Sequence, residues 1–220
     1  MRSALLLGAT GLVGRHTLSR LATDARWSRV VSLDRRPLAV ASPTHTSHVV
    51  DFTRLDAVDP DVWVCDDVFC AIGTTIRQAG SHVAFRHVDL DIPASAATHA
   101  HAAGATQMLL VSAMGADAGS RIFYNRTKGQ VEAAVRGVGF EAVHLLRPSL
   151  LTGDRTEART GEQIGEAVLR LLNPVLVGPL KNLRPTPADD VAAALVGFAA
   201  ERQPGVHVHD PEQIRQRAAR

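Results

Sequence analysis

Cysteine is scarce in this sequence: only Cys65 and Cys70 occur, and their spacing is not that of a CxxC metal or redox pair. So few cysteines exclude the disulfide framework of a small secreted domain, and a reducing, cytoplasmic setting is expected. Cys70 lies inside an apolar run, which favours a small core side chain over a nucleophile.

An excess of charge of one sign is also lacking. The 24 Lys and Arg residues nearly balance the 22 Asp and Glu residues, for a net charge of +2. Without a basic stripe to follow a phosphate backbone, no nucleic-acid partner is expected. The sequence has no apolar run of the roughly 18 residues that a membrane-spanning helix requires, so no membrane partner is expected either.

The sequence has ten histidines, but they do not show the spacing that is typical of metal ligands. His207 and His209 are spaced to share one side of a strand, with no cysteine or third histidine near them in the sequence. No metal site is therefore predicted. Asp89 and Asp91 are also two apart, which places them on different sides of a helix, so paired-carboxylate chemistry is not predicted.

What the sequence does have is a regular alternation of short apolar runs with segments of helical spacing. Strands are predicted at residues 3–7, 29–33, 48–50, 68–72, 108–111, 142–146 and 206–209. Helices are predicted at residues 12–22, 81–103, 124–136, 161–172, 188–200 and at the C-terminus, with Pro93 expected to bend or break the second one. Repeated βα units predict one α/β domain over residues 1–220, with a parallel sheet covered by helices.

A glycine-rich turn, GATGLVG, joins the first predicted strand to the first predicted helix. Its first glycine allows the tight turn, the second lets the backbone approach a pyrophosphate, and the third lets the helix pack against the sheet. The helix N-terminus then offers free amides to the phosphates. The predicted cofactor-binding residues of this turn are Gly8, Thr10, Gly11, Leu12, Val13 and Gly14.

The residues after the second and third strands leave the choice between NAD and NADP open. Asp34 stands where an acidic side chain binds the ribose 2′-hydroxyl of NAD, whereas Arg35 and Arg36 are suited to the 2′-phosphate of NADP. Asp51 is a candidate for contact with the adenine, and a solvated loop aspartate is the alternative.

Tyr124 and Lys128 lie four residues apart, on one face of a predicted helix, and Tyr124 is the only tyrosine of the chain. An ammonium near a phenol favours the phenolate, so Lys128 is expected to lower the pKa of Tyr124 toward neutrality. Tyr124 then exchanges a proton with a carbonyl or alcohol oxygen during hydride transfer. Ser112 is a candidate for polarising that oxygen, with Thr74 and Thr75 as the alternatives.

Five segments carry a resemblance to a known family: GATGLVG, CAIGTTIRQAGS, VSAMGAD, FYNRTKGQVE and LLRPSLLTGDR. Together they resemble the atypical short-chain dehydrogenase/reductases, in the branch of the Tat-interacting-protein oxidoreductase. That branch includes bacterial relatives labelled nucleoside-diphosphate-sugar epimerases. The similarity runs over residues 5–165 and is weak over the last fifty residues.

The resemblance implies an α/β fold of the Rossmann type: a doubly wound parallel sheet in a single domain, with a small C-terminal substrate subregion at about residues 150–204. It also implies NADP(H) binding at the glycine turn, with Arg35 near the adenosine phosphate. Ile72 and Gly73 are expected beside the ribose, and Leu151 and Arg159 near the cofactor. Thr74 is a candidate for lining the nicotinamide ribose from its position after the fourth strand, apart from the resemblance. Two positions depart from the family, because Asp34 replaces a small residue and Ala113 replaces a serine.

Three hypotheses follow, in order of preference. The first is an NAD(P)-dependent oxidoreductase that acts on a small-molecule carbonyl or alcohol through Tyr124 and Lys128, with a slight preference for NADP. The second is an NADP(H)-sensing protein without turnover, which the missing serine favours. The third is a nucleotide-sugar epimerase or dehydratase. A homodimer through the helices that follow the fourth and fifth strands is a further possibility for which the Ala-rich segment 94–103 provides an apolar face.

Overall fold

The fold is built around a parallel sheet, and the computed structural model describes residues 1–38, 42–153 and 184–220. The strands are β1 Arg2–Leu7, β2 Trp27–Asp34, β3 His45–Val49, β4 Asp67–Cys70, β5 Gln107–Val111, β6 Ala142–Leu146, β7 Leu151–Thr152, β8 Thr186–Pro187 and β9 Gly205–His209. Seven of them form one sheet in the order β3-β2-β1-β4-β5-β6-β9, and every pairing in it is parallel. β7 and β8 pair separately.

Helices connect these strands and cover the sheet. They are α1 Leu12–Thr23, α2 Ile76–Ala79, α3 His82–Arg86, α4 Ile92–Ala102, α5 Phe123–Arg136, α6 Ala188–Glu201 and α7 Pro211–Ala218. A π turn, His87–Asp91, joins α3 to α4, and 3₁₀ turns cover Leu55–Ala57 and Pro60–Val62. Within the described ranges, no helix has the length and apolar character needed to cross a membrane.

Each face of the sheet has its own core, because successive strand residues point to opposite faces. Leu5, Leu7 and Val68 face one side, where α4 and α5 pack. Leu6 and Phe69 face the other side, where α1 and α6 pack. All five side chains are fully buried, and burial of a side chain of this size contributes about 1.5–3 kcal/mol.

The strand order confirms the predicted Rossmann-type sheet. From β1 the chain builds outward through β2 and β3, then returns to the other side of β1 with β4. Such a reversal opens a crevice at the carboxyl ends of the two central strands, where ligands of doubly wound sheets bind. The segments that follow β1 and β4 therefore frame the candidate site.

Two predicted elements differ from the observed ones. The third strand covers His45–Val49 rather than residues 48–50, since its polar residues pair with β2 although they lack an apolar pattern. The single helix predicted at 81–103 is interrupted by the π turn, which ends just before Ile92 and Pro93. The helix predicted at 161–172 and most of the predicted substrate subregion lie outside the described residues.

Candidate functional site

The glycine turn closes tightly between the carboxyl ends of β1 and β4. Gly8 has φ +88°, and a Cβ atom there would lie 2.8 Å from the backbone of Ala71 and Ile72. A Cβ atom on Gly14 would lie 1.9 Å from the carbonyl oxygen of Gly8. The N–H of Gly11 donates to that same oxygen at 2.9 Å. Both outer glycines are therefore required sterically, as the sequence pattern predicts.

The beginning of α1 suits a bound diphosphate. Gly11 is the N-cap residue and adds no side chain to occupy the first amides of the helix. The first turn carries the basic side chain of Arg15 and is free of carboxylates. Thr10 is exposed, Leu12 is half-buried, and Val13 is buried in the core. Free amides and the positive end of the helix dipole would stabilise phosphate oxygens here.

Asp34 is turned into the protein. Its Oδ2 accepts hydrogen bonds from the hydroxyls of Ser32 at 2.5 Å and Ser47 at 2.8 Å, and the residue is 4% exposed. Arg35 and Arg36, which follow it, are both exposed. The structure therefore separates the carboxylate from the two cations, which the sequence alone places side by side.

Asp51 is an exposed turn residue after β3. Its Oδ1 accepts hydrogen bonds from the hydroxyl of Thr53 at 2.7 Å and from the Thr53 amide at 2.9 Å. The hydroxyl bond, and then the amide bond, lower the pKa of Asp51. These contacts stabilise the local turn, and the contact between Asp51 and the adenine stays a prediction.

Lys128 is buried within the site instead of lying on a helix surface. Its Nζ lies 2.7 Å from Oδ1 of Asp89, a residue of the π turn, and the two side chains are 6% and 1% exposed. Oδ2 of Asp89 accepts the backbone N–H of Thr74 at 2.9 Å. A Cβ atom on Gly73 would lie 3.5 Å from the Asp89 carboxylate and 3.8 Å from Lys128 Nζ. The loop after β4, the π turn and α5 therefore meet at one point.

Burial and charge act in opposite directions on Lys128. Burial lowers the pKa of Lys128, but the charge of Asp89, followed by that of Tyr124, outweighs it, and the net shift is upward. Lys128 therefore carries its charge. Burial also raises the pKa of the nearby Cys70 thiol to about 11, which supports its interpretation as a core residue.

Tyr124 is half-buried in the first turn of α5, among aromatic side chains. Its ring centroid lies 5.7 Å from that of Phe85 on α3. The adjacent Phe123 stacks on His82 at 3.9 Å. Helix α3 thus covers one side of the tyrosine, and the helical spacing sets Lys128 one turn away.

Ser112 lies at the end of β5, and its hydroxyl is hydrogen-bonded to a side chain of α5. Its hydroxyl donates to Oε1 of Glu132 at 2.6 Å, and the residue is 5% exposed. Glu132 also accepts two hydrogen bonds from the Arg147 guanidinium, at 2.9 and 2.6 Å. The structure gives Ser112 a bond that links β5 to α5, and its predicted contact with a substrate oxygen stays a prediction.

The remaining predicted positions lie near the two central strands, except for one that is not described. Ile72 is half-buried and packs against the core on the α4 side. Leu151 of β7 is half-buried and packs on the same core cluster as Leu12. A Cβ atom on Gly153 would lie 3.2 Å from Cδ1 of Leu12, so the chain after β7 passes the glycine turn. Arg159 lies outside the described residues.

Asp89 is a residue of the candidate site that the sequence pattern does not predict. The sequence spacing of Asp89 and Asp91 predicts no shared role for them, and Asp91 is exposed whereas Asp89 is buried. The available signal was Pro93, four residues downstream, which marks an irregular turn and hence an altered side-chain direction.

Three histidines, His144, His207 and His209, form a stack on strands β6 and β9. Nδ1 of His144 lies 3.0 Å from Nε2 of His209, and both rings stack on Phe198. Burial lowers the pKa of His144 to about 3 and that of His209 to about 4. Among the residues with described positions, no group of three or more His, Cys, Asp or Glu side chains is arranged to hold a metal ion.

Comparison with known proteins identifies similar chains. The protein HTATIP2 of Rattus norvegicus is 36% identical over 164 residues, which cover 73% of this chain and 67% of that protein. The mitochondrial protein FMP52 of Candida albicans is 31% identical over 207 residues, which cover 90% of this chain and 87% of that protein.

Solved structures share the fold at low identity. MoeE5 in complex with UDP-glucose and NAD has a TM-score of 0.69 at 19% identity, covering 94% of this chain and 74% of that one. The human epimerase family protein SDR39U1 with NADPH has a TM-score of 0.62 at 18% identity, with coverage of 94% and 74%.

Residues 8–201 match the family described as NAD(P)H-binding. This range begins at the first glycine of the turn and includes Tyr124, Lys128 and Asp89. The similarity thus covers the residues of the candidate site, and the chain belongs to the NAD(P)H-binding family of Rossmann-fold proteins.

Proposed function

We propose that this protein is an NADP(H)-dependent oxidoreductase that transfers hydride between the nicotinamide and a small carbonyl or alcohol substrate, with Tyr124 as the acid–base group. The observation that carries the proposal is the buried Lys128 ammonium, one helical turn from the only tyrosine of the chain. A lysine is rarely buried unless it is paired, and a buried charged pair in a cleft is a frequent feature of functional sites. Gly73, next to this ammonium, lies in the same loop as Ile72, which contacts the glycine turn.

The residues present would hold a dinucleotide across the carboxyl ends of the parallel strands. The glycine turn and the first amides of α1 suit the diphosphate, and the loop of Ile72, Gly73 and Thr74 suits the nicotinamide ribose. A bound reduced nicotinamide supplies the hydride. Lys128 would hydrogen-bond the ribose and favour the negative charge that develops on the tyrosine oxygen.

Tyr124 is the group that donates or accepts the proton. In reduction its Oη–H donates to the carbonyl oxygen as hydride reaches the carbonyl carbon, and the phenolate then regains a proton from solvent. In oxidation the phenolate accepts the alcohol proton. Positioned acid–base groups of this kind contribute about 10²–10⁴-fold to rate. The ring of Phe85 packs against that of Tyr124, with 5.7 Å between their centroids.

The preference for NADP rests on Asp34. An exposed carboxylate would repel a 2′-phosphate, but Asp34 is buried and bonded to Ser32 and Ser47. Arg35 and Arg36 are exposed at the end of the same strand and available to that phosphate. Guanidinium groups bind phosphate with paired hydrogen bonds.

Titration of the protein with NADPH and with NADH, followed by nicotinamide fluorescence, tests the proposal. We expect tighter binding of NADPH, and about a tenfold or greater loss of that preference in Arg35→Ala, since a charge-assisted bond is worth about 1.5–3 kcal/mol. Arg220→Ala, an exposed arginine at the far end of the chain, is the matched control. Tighter NADH binding would make Asp34 the ribose ligand instead, and absence of binding to either nucleotide would refute cofactor use.

A second candidate function is an NADP(H)-sensing protein without turnover. The observation that favours it is Ser112, whose hydroxyl is engaged by Glu132, with Ala113 beside it. A site without a polarising hydroxyl would bind the nucleotide and transfer hydride poorly. Tight NADPH binding together with no NADPH consumption on any carbonyl compound would select this function.

A further inference from the structure

The carboxyl end of β5 leads into a tight turn. The N–H of Ala116 donates to the carbonyl oxygen of Ala113 at 3.1 Å and closes this turn. Gly115, within it, has φ +80°, a conformation that favours glycine. Because β5 lies next to β4 and parallel to it, the turn leaves the sheet at the same edge as the loop that carries Gly73.

The side-chain amide of Asn125 lies beside this turn. A Cβ atom on Gly115 would lie 3.0 Å from Nδ2 of Asn125, so the glycine leaves room for the amide. The N–H of Asp117 donates to the backbone carbonyl oxygen of Asn125 at 3.1 Å. A Cβ atom on Gly129 would lie 2.1 Å from the backbone nitrogen of Ala118. The chain after β5 is thus packed directly on α5, and the amide lies at their contact.

The amide of Asn125 has hydrogen-bonding capacity that the protein does not use. Its nitrogen can donate two hydrogen bonds, and its oxygen can accept. Within residues 1–38, 42–153 and 184–220, the backbone of Asn125 makes hydrogen bonds but its side chain makes none. The residue is half-buried, so the amide is open to a ligand while its position is set by packing.

The hydroxyl groups of the neighbouring loops are held by other protein groups. Ser112 donates to Glu132 at 2.6 Å. Thr75 caps α2 by accepting the N–H of Gln78 at 3.2 Å. Thr74 donates to Oε1 of the same glutamine at 3.5 Å. These three hydroxyls thus have partners, whereas the amide beside the turn has none among the described residues.

We propose that Asn125 is a catalytic residue whose side-chain N–H donates a hydrogen bond to the substrate carbonyl oxygen during reduction. The inference rests on the proposed oxidoreductase function. A carbonyl oxygen has two lone pairs, so it accepts from Tyr124 and from Asn125 at once. As hydride from the nicotinamide reaches the carbonyl carbon, negative charge develops on the oxygen, and Tyr124 supplies the proton. Asn125 keeps its protons and stabilises the developing charge.

The geometry of α5 supports this division of roles. Consecutive residues of a helix are about 100° apart around its axis, so Asn125 leaves α5 in a different direction from Tyr124. That direction is toward the turn after β5. A substrate oxygen held between the tyrosine and this turn meets the phenol on one side and the amide on the other. The amide thereby supplies the hydrogen bond that Ala113 has no hydroxyl to make.

Two substitutions of Asn125 separate a hydrogen-bond donor from a packing residue. Asn125→Leu keeps a similar shape and removes the N–H groups, whereas Asn125→Gln keeps the N–H groups and adds a methylene. NADPH consumption is measured on a carbonyl compound that the wild type reduces, together with NADPH affinity and melting temperature. Arg121→Gln, at an exposed position before α5, is the control.

The expected result is a loss of about 10²-fold in kcat for Asn125→Leu, the size typical of one lost donor to a developing oxyanion, with NADPH affinity and melting temperature kept. Asn125→Gln should retain more of the rate, and Arg121→Gln should match the wild type. A packing role predicts the reverse order, because leucine fits the space and glutamine is too long. A leucine variant with the kcat of the wild type, or a higher kcat than the glutamine variant, overturns the proposal. So does a rate loss that weaker NADPH binding accounts for.

A measurement on the wild type serves where the leucine variant does not fold. In a complex with NADP⁺ and the carbonyl compound, no hydride is available and the substrate is not consumed. The assigned NMR signals of the Asn125 side-chain amide should shift relative to the complex with NADP⁺ alone. Unchanged signals at saturating carbonyl compound overturn the proposal.

The outcome is separate from that of the proposed function. If the wild type reduces carbonyl compounds and Tyr124→Phe loses the rate while Asn125→Leu keeps it, the oxidoreductase stands and the role of Asn125 falls. If the wild type reduces no carbonyl compound, the oxidoreductase falls, and the role of Asn125 falls with it.

Discussion

Ser112 donates its hydroxyl to the buried carboxylate of Glu132 at 2.6 Å, in a cluster that the Arg147 guanidinium completes. Glu132 is 2% exposed, so these hydrogen bonds take the place of water around its carboxylate. The hydrogen bond with Glu132 raises the pKa of Arg147, burial acts in the opposite direction, and the charge of Glu132 adds to the rise. The cluster joins the ends of β5 and β6 to α5, the helix that also carries Lys128.

We expect Ser112→Ala to act first on stability. Removal of the hydroxyl leaves a buried carboxylate oxygen with one partner fewer, which costs about 1–3 kcal/mol. Denaturant unfolding measures the loss, with Ser19→Ala, an exposed helix position, as the control that should be near neutral. A variant that keeps its stability and NADPH affinity but loses turnover would instead place Ser112 at the substrate oxygen.

Gly14 cannot carry a side chain. In Gly14→Ala the Cβ would meet the Gly8 carbonyl oxygen at 1.9 Å, so the helix must move away from the turn. Overpacking of this kind typically costs about 1–3 kcal/mol, and the displaced amides should weaken NADPH binding as well. Gly137→Ala is the matched control, because its Cβ would lie 3.4 Å from its nearest neighbour. Equal melting temperatures and affinities for the two variants would contradict the packing described for the turn.

The histidine stack predicts a loss of stability in acid. The folded state lowers the pKa of His144 to about 3 and of His209 to about 4, against an ordinary value of 6.5. The unfolded chain therefore takes up protons first, and stability falls as the pH drops below 6.5 toward 4. The loss at pH 5 is of order 2 kcal/mol for each histidine.

Unfolding by urea across this pH range checks the prediction. His144→Phe should flatten the slope between pH 6.5 and 5, whereas His16→Phe, on the more exposed surface of α1, should not. Asp67 acts in the opposite direction, since burial raises its pKa to about 6 and its protonation stabilises the fold below that pH. A wild-type stability that rises steadily from pH 6.5 to 5 would show that Asp67 outweighs the histidines.

The sheet was predictable because its signals are local. Runs such as residues 3–7 and 142–146 are short, apolar and bounded by glycine or proline, as strands buried on both faces are. The glycine turn was predictable for a similar reason, since each glycine meets a steric requirement within its own βαβ unit. Strand β3 was placed less well because His45 and Ser47 carry no apolar signal, and only pairing with β2 defines them.

The polar contacts of the site were not predictable in the same way. The spacing of Tyr124 and Lys128 gives a shared helix face, but the partner of Lys128 comes from a turn 39 residues earlier. The hydrogen bond from Ser112 to Glu132 and the one from Ser47 to Asp34 likewise join different elements. Each depends on the final packing of helices on the sheet, which periodicity does not encode.

The most direct test of the central claim is NADPH consumption by the wild type and by Tyr124→Phe against a panel of aldehydes and ketones, with nucleotide affinity measured in parallel. The account predicts that the wild type reduces some members of the panel. It also predicts that Tyr124→Phe loses about 10²-fold or more of the rate while binding NADPH equally well. Equal rates for the two proteins on a carbonyl substrate would contradict the role of Tyr124 as the acid–base group.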